Sequence, residues 1–137
     1  AFALIKKSGL IMNENEISSL VLKAAIDVHK TLGGPGLLES VYEEALAWEL
    51  TRCGLDVKRQ LTLPTNYKGN EIGTPLRIDL LINDKVVVEC KAVHEYNKIF
   101  EAQALTYLRL GDYKLGLVVN FGAALVKDGF HRVVNHL

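Results

Sequence analysis

Val86-Val87-Val88-Glu89-Cys90-Lys91-Ala92-Val93 is the stretch that decides the fold of this 137-residue chain. Its run of valines predicts a central β-strand, because β-branched side chains pack well on a pleated sheet. Glu89 and Lys91 interrupt the apolar run two residues apart, so both side chains point to the same face of that strand. An unpaired charge inside a protein is costly, so these two residues need a partner, a metal ion or water.

The preceding apolar segment, Leu76–Ile82, is predicted to be a second strand and carries a further charge, Asp79. Only the turn Asn83-Asp84 separates the two segments, so we expect the strands to form an antiparallel pair. Asp79 and Glu89 would then meet on one face of the sheet. Two carboxylates and a lysine suit phosphodiester hydrolysis, because hard oxygen ligands hold Mg²⁺ and an ammonium group stabilises charge on the phosphate.

A buried ion pair is the alternative explanation of the same residues. Glu89 with Lys91, or Asp79 with Arg77, would hold the sheet together without any catalytic role. A carboxylate and a lysine at this short spacing also occur together by chance. The three charged residues alone therefore leave both interpretations open.

The rest of the chain predicts helices packed on a mixed sheet. Apolar periodicity predicts helices over residues 15–33 and 37–53. In the second helix Trp48 is predicted to be packed, and one broad face is shared by Leu38, Val41, Tyr42, Ala45, Leu46 and Glu49. A turn is predicted at 66–70. Strands are predicted at 57–63, 76–82, 85–93 and 114–121. A helix is predicted at 97–110, between the last two strands, and a final hairpin at 125–134. This order predicts an α/β domain with a mixed central β-sheet flanked by helices.

Composition limits the class of protein. Lys plus Arg number 16 and Asp plus Glu number 16, so the chain lacks the excess of basic residues that is typical of nucleic-acid-binding proteins. A local group of basic residues at the edge of a site would not change this net charge. Cys53 and Cys90 form no zinc-type cluster and are predicted to be buried free thiols of a reducing cytoplasm. The predicted free thiols favour a cytoplasmic location. No apolar run approaches the ~20 residues that cross a bilayer, so we expect no membrane partner.

One domain is expected over residues 15–137, which is a sufficient length for a single hydrophobic core. Residues 1–14 are expected to be an N-terminal extension, either disordered or added to the natural sequence. Met12 is a candidate for the natural start.

Four short motifs resemble one nuclease superfamily. Asp79 together with Glu89-Cys90-Lys91 resembles the core motif of the PD-(D/E)XK nucleases, and Gln103-Ala104-Leu105-Thr106-Tyr107 resembles the Q-x-x-x-Y motif of its recombination-exonuclease branch. Gly36-Leu37-Leu38-Glu39-Ser40-Val41-Tyr42 is similar to the signature of its GxxExxY family, as is Val118-Val119-Asn120-Phe121-Gly122. The four motifs occur in the right order and span nearly the whole chain.

This resemblance implies a restriction-endonuclease-like core with a metal site. Asp79 and Glu89 would bind Mg²⁺ or Mn²⁺, and the backbone carbonyl of Cys90 would be a further ligand. Lys91 would be the catalytic lysine. Glu39 would be an additional ligand or would orient water, although an acidic residue in the first turn of a helix is also favoured by the helix dipole.

Residues outside the central motif receive secondary roles. The resemblance implies that Gln103 and Tyr107 hold the site or contact a backbone phosphate, and helical spacing puts them on one face. Lys98 is a candidate phosphate contact because it is basic. Gly36 is expected to serve backbone geometry, and Tyr42 is expected to be a core residue with a bonded hydroxyl.

The first hypothesis for function is therefore metal-dependent hydrolysis of phosphodiester bonds in nucleic acid, with DNA expected as the substrate. The alternative is a catalytically silent module that binds nucleic acid or a protein partner. A purely structural ion-pair cluster is a third possibility. A homodimer or a protein partner is compatible with so small a domain.

Overall fold

A computed structural model describes residues 11–137, and the first ten residues of the predicted extension lie outside them. Three α-helices occur in this part of the chain: α1 Glu14–Thr31, α2 Glu39–Arg52 and α3 Ile99–Gly111. The strands are β1 Val57–Leu63, β2 Asn66–Tyr67, β3 Asn70–Glu71, β4 Leu76–Ile82, β5 Val86–Lys91, β6 Leu115–Asn120 and β7 Phe130–Val134. None of the helices of residues 11–137 combines the length and apolarity needed to cross a membrane.

Five strands form one mixed sheet in the order β1-β4-β5-β6-β7. All neighbours are antiparallel except β5 and β6, which are parallel and joined by the crossover helix α3. Val88 of β5 packs in the core shared with α1 and α2, whereas Val87 packs against Leu108 of α3 on the opposite face. The predicted fold class, a mixed α/β sheet flanked by helices, is confirmed.

Helix α1 begins with a capping box. The Asn13 side chain accepts a hydrogen bond from the Glu16 N–H, and the Glu16 carboxylate accepts one from the Asn13 N–H, so each satisfies an otherwise unpaired donor. Met12 packs in the core, and its carbonyl accepts a 2.7 Å hydrogen bond from Lys85. Met12, Asn13 and Glu14 were assigned to the extension from sequence, but Met12 packs in the core of the domain, Asn13 caps α1 and Glu14 is its first residue.

Helix α2 differs from its prediction in which residues it buries. It begins two residues later than predicted, and its buried residues are Tyr42, Glu43, Leu46, Ala47 and Leu50. Leu38 is 75%, Val41 40% and Trp48 57% exposed, so the predictions that Leu38 and Val41 share the packed face and that Trp48 is packed were wrong. At 100° per residue, Trp48 lies about 160° from both Leu46 and Leu50, on the far side of the helix from the sheet.

The C-terminal region also differs from its prediction. Instead of a hairpin within residues 125–134, Val126–Gly129 forms a short 3-10 helix, and β7 pairs with β6. Val126 is buried in the core shared with α1 and α2, which takes this segment out of the sheet. The region predicted as a turn at 66–70 is a small hairpin of β2 and β3 that turns at Lys68 and Gly69.

The chain just beyond Lys91 is fixed by the end of β6. The Asn120 side chain donates a hydrogen bond to the Val93 carbonyl at 3.1 Å and accepts one from the Val93 N–H at 3.0 Å. Gly122 packs directly on the backbone of Val93. A Cβ at position 122 would overlap the Val93 carbonyl oxygen and would lie 2.6 Å from the Val93 backbone nitrogen. This part of the GxxExxY-like segment therefore supports the strand that carries Lys91.

Gly122→Ala is expected to lower the free energy of unfolding by about 3 kcal/mol, because the new methyl group meets backbone atoms that cannot move away. Gly116→Ala is the matched control, since its Cβ would lie 3.4 Å from the flexible Leu108 side chain. Its effect is expected to stay within about 1 kcal/mol. Urea unfolding of the three proteins measures both values, and equal losses in the two variants would contradict the role of Gly122.

Candidate active site

Asp79 and Glu89 meet where the β4–β5 ladder ends. The last backbone pairing between these strands is Leu80 with Val88. One residue further, the backbone N–H groups bond to carboxylate side chains instead of to backbone carbonyls. The Asp79 N–H donates to Glu89 Oε1 at 3.3 Å, and the Cys90 N–H donates to Asp79 Oδ2 at 2.9 Å. The antiparallel pairing predicted from sequence is confirmed, and it brings the two carboxylates together.

Strand β4 and its other neighbour, β1, are both distorted at this point. Leu81 and Ile78 pack in the same cluster beneath α3, although the two-residue alternation of a regular strand would put them on opposite faces. Gln60, which lies opposite Asp79 between paired positions of β1 and β4, has a φ of 51°. A left-handed conformation is uncommon for a residue other than glycine, so regular strand geometry is interrupted on both strands around Asp79.

The electrostatics of the pair favour one retained proton. Glu89 is 6% exposed, and its burial is the main reason why its pKa rises to about 9. The neighbouring Asp79 carboxylate raises the pKa of Glu89 further through its charge and a shared hydrogen bond, whereas the Asp79 N–H and the charge of Lys91 oppose the rise. The two acids therefore lack a sufficient counter-charge of their own.

Lys91 does not neutralise the pair by direct contact. Its ammonium nitrogen lies over the Phe100 ring, 4.6 Å from the ring centroid, in a cation–π contact. Within residues 11–137 the ion pairs are Lys58 with Asp84 and Arg59 with Glu43, so neither Glu89–Lys91 nor Asp79–Arg77 forms. The ion-pair interpretation of these residues is therefore wrong.

Glu39, the first residue of α2, extends the acidic site from the helix side. Its partial burial raises its pKa, the charge of Lys91 lowers that pKa, and Asp79 raises it. Glu39 is therefore within electrostatic range of both strands, although its side chain is exposed.

Glu43 is a residue of this site that the sequence analysis missed. It lies one turn after Glu39, is 6% exposed, and its carboxylate accepts two 2.9 Å contacts from the Gln60 side chain and one of 3.2 Å from Arg59. Its charge also contributes to the raised pKa of Glu39. The i, i+4 spacing of the two glutamates was the available signal. Glu43 attaches α2 to β1 at the residue opposite Asp79.

The predicted residues on and beside helix α3 differ in how close they lie to the site. Tyr107 is half-buried against the cluster beneath α3, and its pKa is raised by burial and then by the charges of Glu89 and Asp79, which places it near the pair. Gln103 and Lys98 are exposed, and neither side chain makes a hydrogen bond within the described residues. The structure therefore brings Tyr107 to the site and leaves Gln103 and Lys98 on the surface.

The glycine-rich loop before α2 is built around Tyr42. The buried Tyr42 hydroxyl donates to the Gly34 carbonyl at 2.7 Å and accepts from the Leu37 N–H at 3.1 Å, and its ring stacks on Phe121 at 4.8 Å. Gly36 has a φ of 112°, which favours glycine. The expected roles of Gly36 in backbone geometry and of Tyr42 in the core agree with these contacts, which lead the chain into Glu39.

A divalent cation suits the donor chemistry of this site. Residues 11–137 contain no group of three His, Cys, Asp or Glu side chains close enough to hold a metal, so Glu39 does not complete such a group with Asp79 and Glu89. Mg²⁺, however, is commonly held by one or two carboxylates and keeps several waters. Asp79 and the buried Glu89, whose carboxyl groups are hydrogen-bonded to each other, supply two such carboxylates. The Cys90 side chain packs in the hydrophobic core shared with α1 and α2, and the role of the Cys90 carbonyl stays a prediction.

Comparison with known proteins places this arrangement in a family. The model of the PD-(D/E)XK nuclease superfamily matches residues 15–133. The chain belongs to the PD-(D/E)XK nuclease superfamily. Searches of curated proteins and of solved structures returned no match. In this PD-(D/E)XK protein, the more specific GxxExxY assignment stays a prediction.

Glu89→Gln is expected to stabilise the metal-free protein, and the gain is expected to grow between about pH 5 and pH 9. In this range the unfolded chain releases the Glu89 proton while the folded chain retains it, so wild-type stability falls as the pH rises, by at most about 1.4 kcal/mol per unit. Glutamine keeps the shape of the protonated acid without this loss. Urea unfolding in a chelator at several pH values measures the difference.

Glu71→Gln, an exposed change in the hairpin of β2 and β3, is the control for the loss of a carboxylate as such. A difference between Glu89→Gln and wild type that stays constant with pH would contradict the retained proton.

Proposed function

We propose that this protein is a Mg²⁺- or Mn²⁺-dependent nuclease that hydrolyses phosphodiester bonds in DNA. The observation that carries the proposal is the contact between Asp79 and Glu89 at the end of an apolar strand pair, with the ammonium of Lys91 nearby and unpaired. Membership of a nuclease superfamily supports the reaction class. DNA is proposed over RNA from the resemblance alone, which is a weaker argument than site chemistry.

The carboxylates are held in orientation by the backbone. The Cys90 N–H fixes one oxygen of Asp79, and the Asp79 N–H fixes one oxygen of Glu89. Loss of the shared proton on cation binding would leave each acid with an oxygen that no backbone N–H holds. When bound there, a divalent cation polarises a phosphoryl oxygen and lowers the pKa of bound water.

Lys91 supplies positive charge on the substrate side of the pair. Its ammonium rests on Phe100, makes no ion pair in the described chain and is half-exposed, so it is available to orient the attacking water or to stabilise charge on the phosphate. Its electrostatic influence on both Glu39 and Glu89 supports a position between them.

Residues around this centre complete the proposal. Glu39 is proposed as a further ligand or a water-orienting carboxylate, and Tyr107 as a group that holds the site. Gln103 and Lys98, both exposed on or at the start of α3, are proposed to contact backbone phosphates. The buried free thiols of Cys53 and Cys90 are compatible with the proposed cytoplasmic location.

Cleavage of labelled linear, circular and single-stranded DNA with Mg²⁺ or Mn²⁺ tests the proposal. Lys91→Ala is expected to lower the rate by roughly 10²–10³, the scale for loss of a preorganised charge donor. Glu89→Ala is expected to abolish cleavage. Lys114→Ala is the control, because this exposed lysine precedes β6 at the end of the sheet opposite Lys91. A folded Lys91→Ala protein with full activity would refute the proposed role of this lysine.

A nuclease-fold module that binds without cutting is the second candidate. It is favoured by the lack of a three-residue metal-binding group within residues 11–137 and by the formal net charge of zero. Calorimetric titration with Mn²⁺ separates the two candidates. Binding that Asp79→Asn removes supports the nuclease, whereas no binding even with DNA present supports the silent module.

A further inference from the structure

The outer face of α2, formed by Val41, Glu44, Trp48 and Arg52, is unusual for a surface helix. These residues follow one another at intervals of three or four, so they form one stripe along the helix. The stripe lies on the side away from the buried Leu46 and is exposed, with Trp48 57% and Val41 40% accessible. Val41 and Trp48 lie two helical turns apart beside one groove and give the stripe exposed apolar surface, which indicates a contact site.

A groove beside the stripe extends this apolar surface. It has a volume of about 390 Å³, lies between α1 and α2, and is lined by Val28, Leu32 and Ala45 as well as by Val41 and Trp48. An aromatic side chain at the edge of such a groove can fill it on a second molecule. Tryptophan is also among the residues that contribute most to binding energy in interfaces.

The charges of the outer face are symmetric about Trp48. Glu44 precedes Trp48 by four residues, and Arg52 follows it by four. In an antiparallel helix pair with a twofold axis at Trp48, Glu44 of each copy lies level with Arg52 of the other, about 6 Å along the helix from the axis. A twofold interface requires this kind of self-complementary surface.

Arg52 is already positioned to take part. Its guanidinium carbon lies 4.9 Å from the centroid of the Trp48 ring, so in a single chain it covers its own tryptophan. It has no ion pair with a described residue, because the pairs in residues 11–137 are Lys58–Asp84 and Arg59–Glu43. Glu44 is likewise outside those pairs. Both charges are therefore available to a second copy.

We propose that two copies of this chain associate through the outer face of α2, with the helices antiparallel and the Trp48 side chains at the twofold axis. Glu44 of each copy pairs with Arg52 of the other on either side of the tryptophans. The proposal is independent of the nuclease activity, since no residue of the outer face belongs to the candidate active site.

Sedimentation across a range of concentrations, without nucleic acid, tests this association. Wild type is expected to show a monomer–dimer equilibrium, and Trp48→Ala is expected to weaken the dimer by at least about thirtyfold, as for a central interface residue. Leu125→Ala is the control, because Leu125 is 55% exposed and lies in the loop after β6, away from α2. Circular dichroism checks that each variant is folded. A wild-type protein that stays monomeric at every concentration would overturn the proposal.

A charge exchange tests the antiparallel geometry. Glu44→Arg alone and Arg52→Glu alone are each expected to weaken the dimer by about tenfold or more, because like charges then lie opposite one another. The double variant restores both pairs and is expected to regain most of the affinity. A double variant as weak as the sum of its single changes would show that Glu44 and Arg52 do not meet, and would overturn this arrangement.

Discussion

Asp79 and Glu89, which lie just beyond the last backbone pair of β4 and β5, impose the main physical constraint on this fold. Burying a carboxylate is costly unless it is hydrogen-bonded and its charge is compensated. Asp79 and Glu89 meet the first requirement through two backbone N–H groups, at the point where the strands stop pairing with each other. They do not meet the second, so burial, reinforced by the charge of Asp79, raises the pKa of Glu89 to about 9. This uncompensated pair is the reason for proposing a cation at the site.

The elements around the pair are arranged to keep it in place. Strand β5 is held by β4 on one side and by the full length of β6 on the other. Beyond Lys91, Asn120 bonds both polar groups of the Val93 peptide. Glu43 connects α2 to β1, so the helix that carries Glu39 is attached beside the distorted part of the sheet. Catalytic groups on rigid elements keep their geometry better than groups on loops.

Sequence alone predicted the strands better than the helix faces. Val57–Leu63 and Leu76–Ile82 have the predicted bounds because turn-forming residues limit both segments. The prediction of which residues of α2 are packed was wrong because this helix has apolar residues on both sides. Periodicity does not show which side meets the sheet. Glu43 was missed because its importance comes from Gln60, a distant residue whose left-handed conformation has no sequence signature. Asp79, Glu89 and Lys91 were predictable as site residues because charged side chains inside apolar strands are unusual in the sequence itself.

The position of Lys91 separates a functional cluster from a structural one. A sheet that needed only stability would pair this lysine with Glu89, or would replace both with apolar residues of similar volume, which is often neutral or stabilising. Instead the ammonium lies over Phe100, and the two acids retain a proton between them. The aromatic face stabilises the cation without neutralising the carboxylates. An arrangement that keeps opposite charges close but unpaired lowers stability and leaves both available to a ligand, which supports the proposed binding of a metal ion and a phosphate at this site.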